Sequence, residues 1–224
     1  MHCALCQTQL FEVNSFLQFF GLIRHENSVL CESCRHNFDA INDQGCPACG
    51  RQQLNNDACY DCQRWQLNNR PSLHHRALYQ YNDAMRLFMQ QYKFNGDYKL
   101  RKIFNRELIN LVHTSDMDLV VAVPVSQHTM MTRGFNQVAS LLEGIELTEA
   151  LQVKVTKKMQ QSHSNRRARM KREQPFSIID EKIIEGQSIL LVDDVYTTGS
   201  TLHHAADLLL AHGADSVKSI SLAR

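Results

Sequence analysis

One segment, residues 189–202, restricts the fold more than any other part of the sequence. It reads Ile-Leu-Leu-Val, two aspartates, Val-Tyr-Thr-Thr-Gly-Ser-Thr and then the start of an apolar, helix-forming stretch. A continuous run of aliphatic residues is typical of a parallel strand that is buried on both faces. We therefore predict a buried strand, a tight turn at Gly199 and a helix over 201–211 that is closed by Gly213.

The turn in this segment has the composition of an anion-binding loop. Glycine allows the tight turn, hydroxyl groups can donate, and the start of a helix offers free amides and a favourable dipole. Asp193 and Asp194 would repel a phosphate, so we expect them to face sugar hydroxyls, directly or through Mg²⁺. The alternative is an accidental strand–turn–helix with surface acids. The predicted phosphate ligands are Thr197, Thr198, Gly199, Ser200 and Thr201.

Alternating strand and helix patterns precede and follow this segment. They indicate an α/β fold with a parallel sheet, which we place in a domain at 76–224. Asp83 is the expected cap of the first helix. The predicted strands occupy 77–81, 119–123, 151–156, 189–192 and 217–222. The predicted helices begin near 83, 97, 135 and 201.

The first third of the chain contains eight cysteines, all in Cys-x-x-Cys pairs. We recognise no export signal or membrane-length apolar run, so we expect a reducing cytoplasmic setting in which such pairs bind metal. Two pairs complete one tetrahedral Zn²⁺ site, and the array predicts two structural zinc ions in a ribbon module at 1–65, before a linker at 66–75. Sequential pairing is favoured, and interleaved pairing stays open. The predicted ligands are Cys3, Cys6, Cys31, Cys34, Cys46, Cys49, Cys59 and Cys62.

One stretch is strongly basic although the net charge of the chain is only +1. Residues 154–172 carry many lysines and arginines and no acid. Such a run binds phosphates, so it predicts either a loop that closes over pyrophosphate or a track for single-stranded DNA. A solvated helix is the alternative. Phe94 and Trp65, expected in turns, are the candidates for stacking on bases. The predicted DNA-binding residues are Arg166, Arg167, Arg169, Lys171 and Arg172.

A further phosphate contact is predicted after the strand at 119–123. The sequence Arg-Gly-Phe-Asn-Gln at 133–137 follows it by a short loop, near the edge where open α/β sheets bind ligands. Arg133 has a planar guanidinium that pairs well with phosphate. The alternative is a solvated arginine at the start of a helix. The histidine pairs at 74–75 and 203–204 have no recognisable partner, and we predict no special role for them.

The strand, acid pair and Thr-Thr-Gly-x-Thr loop together resemble the fingerprint of the phosphoribosyltransferases. The resemblance implies a type I phosphoribosyltransferase-like fold that binds 5-phosphoribosyl-1-pyrophosphate (PRPP) with Mg²⁺. By this resemblance Asp193 and Asp194 are the candidate catalytic residues at the ribose. Residues 197–201 would hold the 5-phosphate and Arg133 the pyrophosphate.

Further motifs, with the cysteine pairs, resemble the ComF family of competence proteins and its GntX relatives. They are Lys-Phe-Asn-Gly-Asp at 93–97, Val-Pro-Val at 123–125, Arg-Gly-Phe-Asn-Gln at 133–137 and Gln-Ser at 161–162 with the arginines and phenylalanine that follow. Arg172 stands near a position where the family often has asparagine. The resemblance implies DNA uptake in natural transformation, with single-stranded DNA, a DNA helicase and a recombination mediator as partners. Because the longest apolar run near the start of the chain is far too short to span a bilayer, we also expect no membrane insertion.

Two functional hypotheses follow from these features. In the favoured one, the protein handles incoming single-stranded DNA in the cytosol and keeps a PRPP-type phosphate pocket. In the other, it is an active phosphoribosyltransferase with an unknown acceptor, and Mg²⁺ and basic groups neutralise the leaving pyrophosphate. The GntX resemblance adds a variant of the first, in which DNA serves as a nutrient. A purely structural adaptor would leave the phosphate loop unexplained.

Overall fold

The computed structural model describes residues 2–10, 29–42, 44–68, 70, 72–94, 96–155 and 174–224. The helices in these ranges are α1 Glu32–His36, α2 Tyr60–Leu67, α3 Asp83–Phe94, α4 Asn105–His113, α5 Gln127–Arg133, α6 Gln137–Leu141 and α7 Ser200–Ala211. The strands are β1 His75–Tyr79, β2 Leu119–Ala122, β3 Leu151–Val153, β4 Phe176–Ile178, β5 Ser188–Val195 and β6 Ser216–Ala223. Short 3-10 helices span Tyr98–Ile103 and Glu181–Ile183. None of these helices is long and apolar enough to cross a membrane.

Four strands form a parallel sheet in the order β1-β6-β5-β2. Parallel neighbours need crossover connections, and helices supply them here. The predicted α/β class with a parallel sheet is therefore confirmed. One predicted strand behaves differently, because β3 pairs antiparallel with β4 in a separate two-stranded sheet. The sequence pattern did not reveal β4, which is only three residues long.

The sheet is covered on both faces, which accounts for the continuous apolar run in β5. Successive side chains of a strand point to opposite faces. Leu190 and Val192 pack into a core that contains the apolar residues of α3 and α4. Ile189 and Leu191 pack into a second core that contains those of α7. Each such fully buried aliphatic side chain contributes about 1.5–3 kcal/mol to folding.

The structure corrects two details of the predicted helices. Asp83 is the first residue of α3 and does not cap it, since the Met85 amide donates to Oδ1 of Asn82 at 3.0 Å. The predicted helix over 135–145 is only the five residues of α6. The segment before it, expected to be a loop, contains α5, which ends at Gly134 with a φ of 81°.

Both groups of cysteines pack against the α/β sheet, each on a different face. Cys3 belongs to the core beside α3 and α4, whereas the four cysteines between 46 and 62 belong to the core beside α7. The predicted linker at 66–75 begins inside α2 and ends at the first residue of β1. Leu73 within that segment is buried. The division of the chain into domains stays a prediction.

Candidate phosphate site and metal centres

The predicted phosphate loop follows β5 directly and leads into α7. Its turn depends on Gly199, which has a φ of 76° in the left-handed region. A Cβ atom at this position would overlap the side chain of Tyr196. Both the backbone conformation and the close approach of the tyrosine therefore require glycine here.

The loop presents backbone donors at the start of a helix. Among the described residues, the amides of Thr197, Thr198 and Gly199 donate no hydrogen bond. The Ser200 amide makes a long contact of 3.4 Å with Oγ1 of Thr198. The side chains of Thr197 and Thr201 are exposed, and that of Thr198 is buried. Consecutive free amides before a helix are the donors of known anion-binding loops, so this loop is a candidate for binding a phosphate group.

The acid pair lies near the carboxyl end of β5 and has a lysine partner. Nζ of Lys93, near the end of α3, lies 2.9 Å from Oδ2 of Asp194. Both side chains are mostly buried, with 18% and 7% of their surfaces exposed. The backbone amide of Asp194 donates to the Asp193 carboxylate at 2.9 Å. Sequence reasoning placed Lys93 only in a family motif and missed this ion pair.

Among the residues that the structure describes, Asp193 forms no ion pair of this kind. Loss of hydration, followed by the negative charge of Asp194, raises the pKa of Asp193 from 3.8 to about 7. The amide of Asp194 and the charge of Lys93 offset these effects only in part. A carboxyl group that titrates near neutral pH gains more than an ordinary one from a bound cation or hydroxyl donor. The arrangement therefore suits a hydrated Mg²⁺ or a sugar hydroxyl at this edge of the sheet.

Arg133 lies at the same end of α3 as Lys93. It is the last residue of α5, so both the expected loop position and the alternative of a helix start were wrong. Its Nη1 donates to Oε1 of Gln137 at 3.0 Å, and its guanidinium lies 5.2 Å from the ring centroid of Phe94. Phe94 is 73% exposed and can still stack on a ligand from its free side.

The eight cysteines form two groups of four, with all the sulfur atoms of a group within 4.8 Å of one another. The sulfurs of Cys6 and Cys31 are 3.6 Å apart, and those of Cys49 and Cys59 are 3.5 Å apart. A tetrahedral Zn²⁺ with bonds of about 2.3 Å requires about 3.8 Å, whereas a disulfide requires about 2.0 Å. The donor set fits a closed structural zinc site and confirms sequential pairing. The groups are Cys3, Cys6, Cys31 and Cys34, and Cys46, Cys49, Cys59 and Cys62.

The second group, called here the inner cluster (Cys46, Cys49, Cys59 and Cys62), is buried at all four positions. The first group, the outer cluster (Cys3, Cys6, Cys31 and Cys34), has Cys6 exposed and two others half-buried. The two sites therefore differ in how easily solvent, chelators and oxidants reach the sulfur atoms.

Trp65 joins the inner cluster to the phosphate loop. It lies three residues after Cys62 on α2 and is only 2% exposed. Its Nε1 donates to the carbonyl oxygen of Thr198 at 2.8 Å. Its ring stacks on His203, with centroids 4.3 Å apart. The prediction that Trp65 lies in a turn and stacks on bases was wrong, because the indole is buried inside the protein.

Arg224 makes a second connection between the same parts. Its Nη2 donates to Sγ of Cys49 at 2.7 Å, and its guanidinium lies 4.6 Å from the ring centroid of Tyr196, the residue before the loop. The ring of Tyr196 also lies beside that of His75, with ring centroids 4.3 Å apart. Burial lowers the pKa of His75 well below its usual value, so this ring is neutral. Two of the histidines for which we predicted no role are thus packing elements beside the loop.

An open cleft of about 280 Å³ adjoins the loop on the side of β1 and β6. It lies at the carboxyl ends of these strands, which is where open α/β sheets bind ligands. Its lining combines amide, aromatic and cationic groups, namely Ile41, Arg51, Gln52, Gln80, Tyr81, Tyr196, Thr197 and Arg224.

The predicted DNA-binding residues lie outside the described residues, as does most of the basic stretch. They are Arg166, Arg167, Arg169, Lys171 and Arg172.

Comparison with known proteins finds similar sequences over all or part of the chain. A model of the phosphoribosyl transferase domain matches residues 132–224. Competence protein ComFC of Streptococcus pneumoniae (strain R6) is 36% identical over 226 residues, which cover 100% of both chains. Competence protein ComFC of Bacillus subtilis (strain 168) is 33% identical over 99% of this chain and 94% of its own. DNA utilization protein YhgH of Escherichia coli O157:H7 is 28% identical over 64% of this chain and 69% of its own.

The parallel sheet, the acid pair and the glycine-containing loop together define a phosphoribosyltransferase-like protein with an added cysteine-rich segment. Similarity over the full length of the chain then identifies the family within this class of proteins. The chain belongs to the ComFC family of competence proteins.

Proposed function

We propose that this protein handles incoming single-stranded DNA in the cytosol during natural transformation, and that its loop binds PRPP or a closely related phosphate ligand with Mg²⁺. The observation that carries the proposal is an intact anion-binding loop beside a lysine-paired acid pair, in a chain similar over its whole length to ComFC proteins. A loop kept only for the fold would not need free amides and a buried charge network.

In this proposal each group at the site has a distinct task. The free amides of 197–199 and the dipole of α7 hold the 5-phosphate. Asp193 binds a ribose hydroxyl or a water of Mg²⁺, and Lys93 forms an ion pair with Asp194 beside it. Arg133 reaches the pyrophosphate with its guanidinium. Zn²⁺ in both clusters stabilises the fold without an open coordination position.

The DNA-binding part of the proposal depends on the basic stretch and on Phe94. Arginines and lysines there would neutralise phosphates of the DNA backbone, and the exposed ring would stack on a base. The proposed DNA contacts are Arg166, Arg167, Arg169, Lys171 and Arg172. A DNA helicase and a recombination mediator are the proposed protein partners, because they receive single-stranded DNA in transformation.

The open cleft favours a second candidate, an active phosphoribosyltransferase. It adjoins the loop at Thr197, so an acceptor bound there would lie beside the sugar of a bound PRPP. The acid pair and bound Mg²⁺ would then stabilise the ribosyl cation and the leaving pyrophosphate. The similarity to YhgH supports a further variant, in which the DNA is used as a nutrient.

Calorimetric titration of PRPP with Mg²⁺ tests the phosphate site. We expect saturable binding to the intact protein and none to the double variant Asp193→Ala, Asp194→Ala. An intact protein that binds neither PRPP nor inorganic phosphate would remove the phosphate-site proposal.

The DNA-binding proposal needs a separate test. Replacing Arg166, Arg167 and Arg169 with glutamine should lower the affinity for fluorescent single-stranded DNA and flatten its salt dependence, while PRPP binding stays the same. Unchanged DNA affinity would show that the basic stretch is not the DNA track.

A further inference from the structure

We infer that metal binding at the inner cluster sets the conformation of the phosphate loop, and that Trp65 is the residue that transmits it. The inference rests on the proposed phosphate site and adds its regulation. It makes the affinity for a phosphate ligand depend on the metal content of a site that never touches that ligand.

The first step of the argument is the position of Trp65 on its helix. Cys59 precedes α2, and Cys62 lies in its first turn. Trp65 is one turn further on, and residues three apart on a helix lie on the same face. A metal held by these two cysteines therefore fixes the start of α2 and, with it, the orientation of the indole.

The second step is the contact itself. The indole nitrogen donates to the backbone carbonyl of Thr198, inside the loop and not beside it. Gly199, whose backbone is in the left-handed region, follows immediately. The stacking of the indole on His203 holds the first turn of α7, which directly follows the anion-binding amides of 197–199. A shift of the indole would consequently change both the loop and the helix start.

The third step is that the other end of the loop is tied to the same cluster. Arg224 donates to the Cys49 sulfur and lies over the ring of Tyr196, which precedes Thr197. The space enclosed between Trp65, Cys62 and Tyr196 is only about 10 Å³, room for no more than one water molecule. Packing this close transmits displacements, because protein interiors have low compressibility.

The outer cluster provides an internal comparison. Its described contacts are with the core of α3 and α4 on the opposite face of the sheet. No hydrogen bond or ring contact among the described residues links it to the loop. Metal binding at the inner cluster should therefore affect phosphate-ligand binding, and metal binding at the outer cluster should not.

Coupling between two ligands is reciprocal, which gives a test on the unmodified protein. The zinc affinity is measured by equilibrium competition with a chromogenic chelator, with and without PRPP and Mg²⁺. We expect the ligand to raise the zinc affinity of the inner cluster by the same factor by which zinc tightens ligand binding, about five- to thirtyfold, and to leave the zinc affinity of the outer cluster unchanged. Equal zinc affinities of the inner cluster with and without bound ligand would overturn the inference.

The variant Trp65→Phe tests the transmitting residue. It keeps an aromatic ring against His203, makes the buried side chain smaller and removes the N–H group, leaving the Thr198 carbonyl unpaired. We expect two zinc ions per chain to be retained and the dissociation constant for PRPP to rise about five- to thirtyfold. The matched control is Tyr60→Phe, on the exposed side of the same helix.

The outcomes separate the two proposals. Binding of PRPP to Trp65→Phe with the affinity of the intact protein would refute the role of Trp65 and leave the phosphate site standing. Failure of the intact protein to bind PRPP or phosphate would overturn both.

Discussion

Replacing Asp193 with asparagine should change how the stability of the protein depends on pH. The pKa of Asp193 is raised from 3.8 to about 7, so between these values the folded state holds a proton that the unfolded state has lost. Stability falls with rising pH wherever the folded state binds more protons, and this loss is complete only above the folded pKa. Asparagine cannot ionise, so the variant escapes the loss.

The magnitude follows from the two pKa values. Between about pH 5.5 and about pH 8.5, proton linkage lowers the free energy of unfolding of the unsubstituted protein by roughly 2 kcal/mol. The variant does not undergo this loss. Because Asp193 lies at the partly open edge of the sheet, solvent screening reduces this to between about 1 and 2 kcal/mol. The variant should also bind PRPP with Mg²⁺ much more weakly.

Urea unfolding of both proteins at the two pH values, in zinc-containing buffer, measures the difference. Every other titrating group, the zinc thiolates included, is common to both proteins and cancels in the comparison. Asp116→Asn, at an exposed site, is the matched control and should follow the unsubstituted protein. Parallel pH profiles for Asp193→Asn and the unsubstituted protein would refute the reasoning about the acid pair.

Four other perturbations have defined outcomes. Lys93→Met leaves the buried Asp194 carboxylate without its counter-charge, and urea unfolding at neutral pH should show a loss of about 3 kcal/mol. Gly199→Ala should abolish phosphate binding in calorimetry and lower stability by about 1–3 kcal/mol, because the turn is left-handed and a Cβ overlaps Tyr196. Arg133→Ala should weaken PRPP about tenfold in calorimetry and leave inorganic phosphate unaffected. Chelator should release two zinc ions in two phases, with the faster from the outer cluster.

Each of these predictions has a control in the same chain. Lys99→Met removes an exposed lysine and should cost little. Gly186 has a similar φ of 70° and no atom within 4 Å of the position that a Cβ would take, so Gly186→Ala measures backbone strain without overlap. Arg76→Ala removes an exposed arginine and should not change PRPP affinity. Cys31→Ser should eliminate the faster zinc phase alone, and loss of both phases would contradict the separation of the two sites.

The sequence predicted those parts of the fold that depend on local pattern. The aliphatic run of β5 and the glycine after it identify a buried strand and a turn whatever surrounds them. The Cys-x-x-Cys spacing likewise predicted the two groups of four cysteines that could each hold a metal ion, and their sequential grouping. The helix α5 escaped detection because its seven residues have no buried side chain and hence no apolar periodicity.

The connections between distant segments could not be predicted from such patterns. Lys93 and Asp194 are an ordinary lysine and aspartate until α3 and β5 are packed side by side. The pairing of Trp65 with Thr198 spans 133 residues, and no periodicity encodes it. His203 lies in the helix that follows the loop. The sequence of this helix shows its apolar face, but it does not show that the Trp65 ring stacks on His203.

The order of strands in the sheet has a consequence for how the chain folds. Strand β1, which follows the cysteine segment directly, pairs within the sheet only with β6, and His75 bonds to Ser219 from 144 residues away. Loop closure over such a distance is slow, so the edge of β1 stays open until the latest strand in the chain arrives. A chaperone that shields an unpaired strand edge should therefore raise the yield of native protein on refolding, and cysteine ligation at the inner cluster should be completed only as β6 docks.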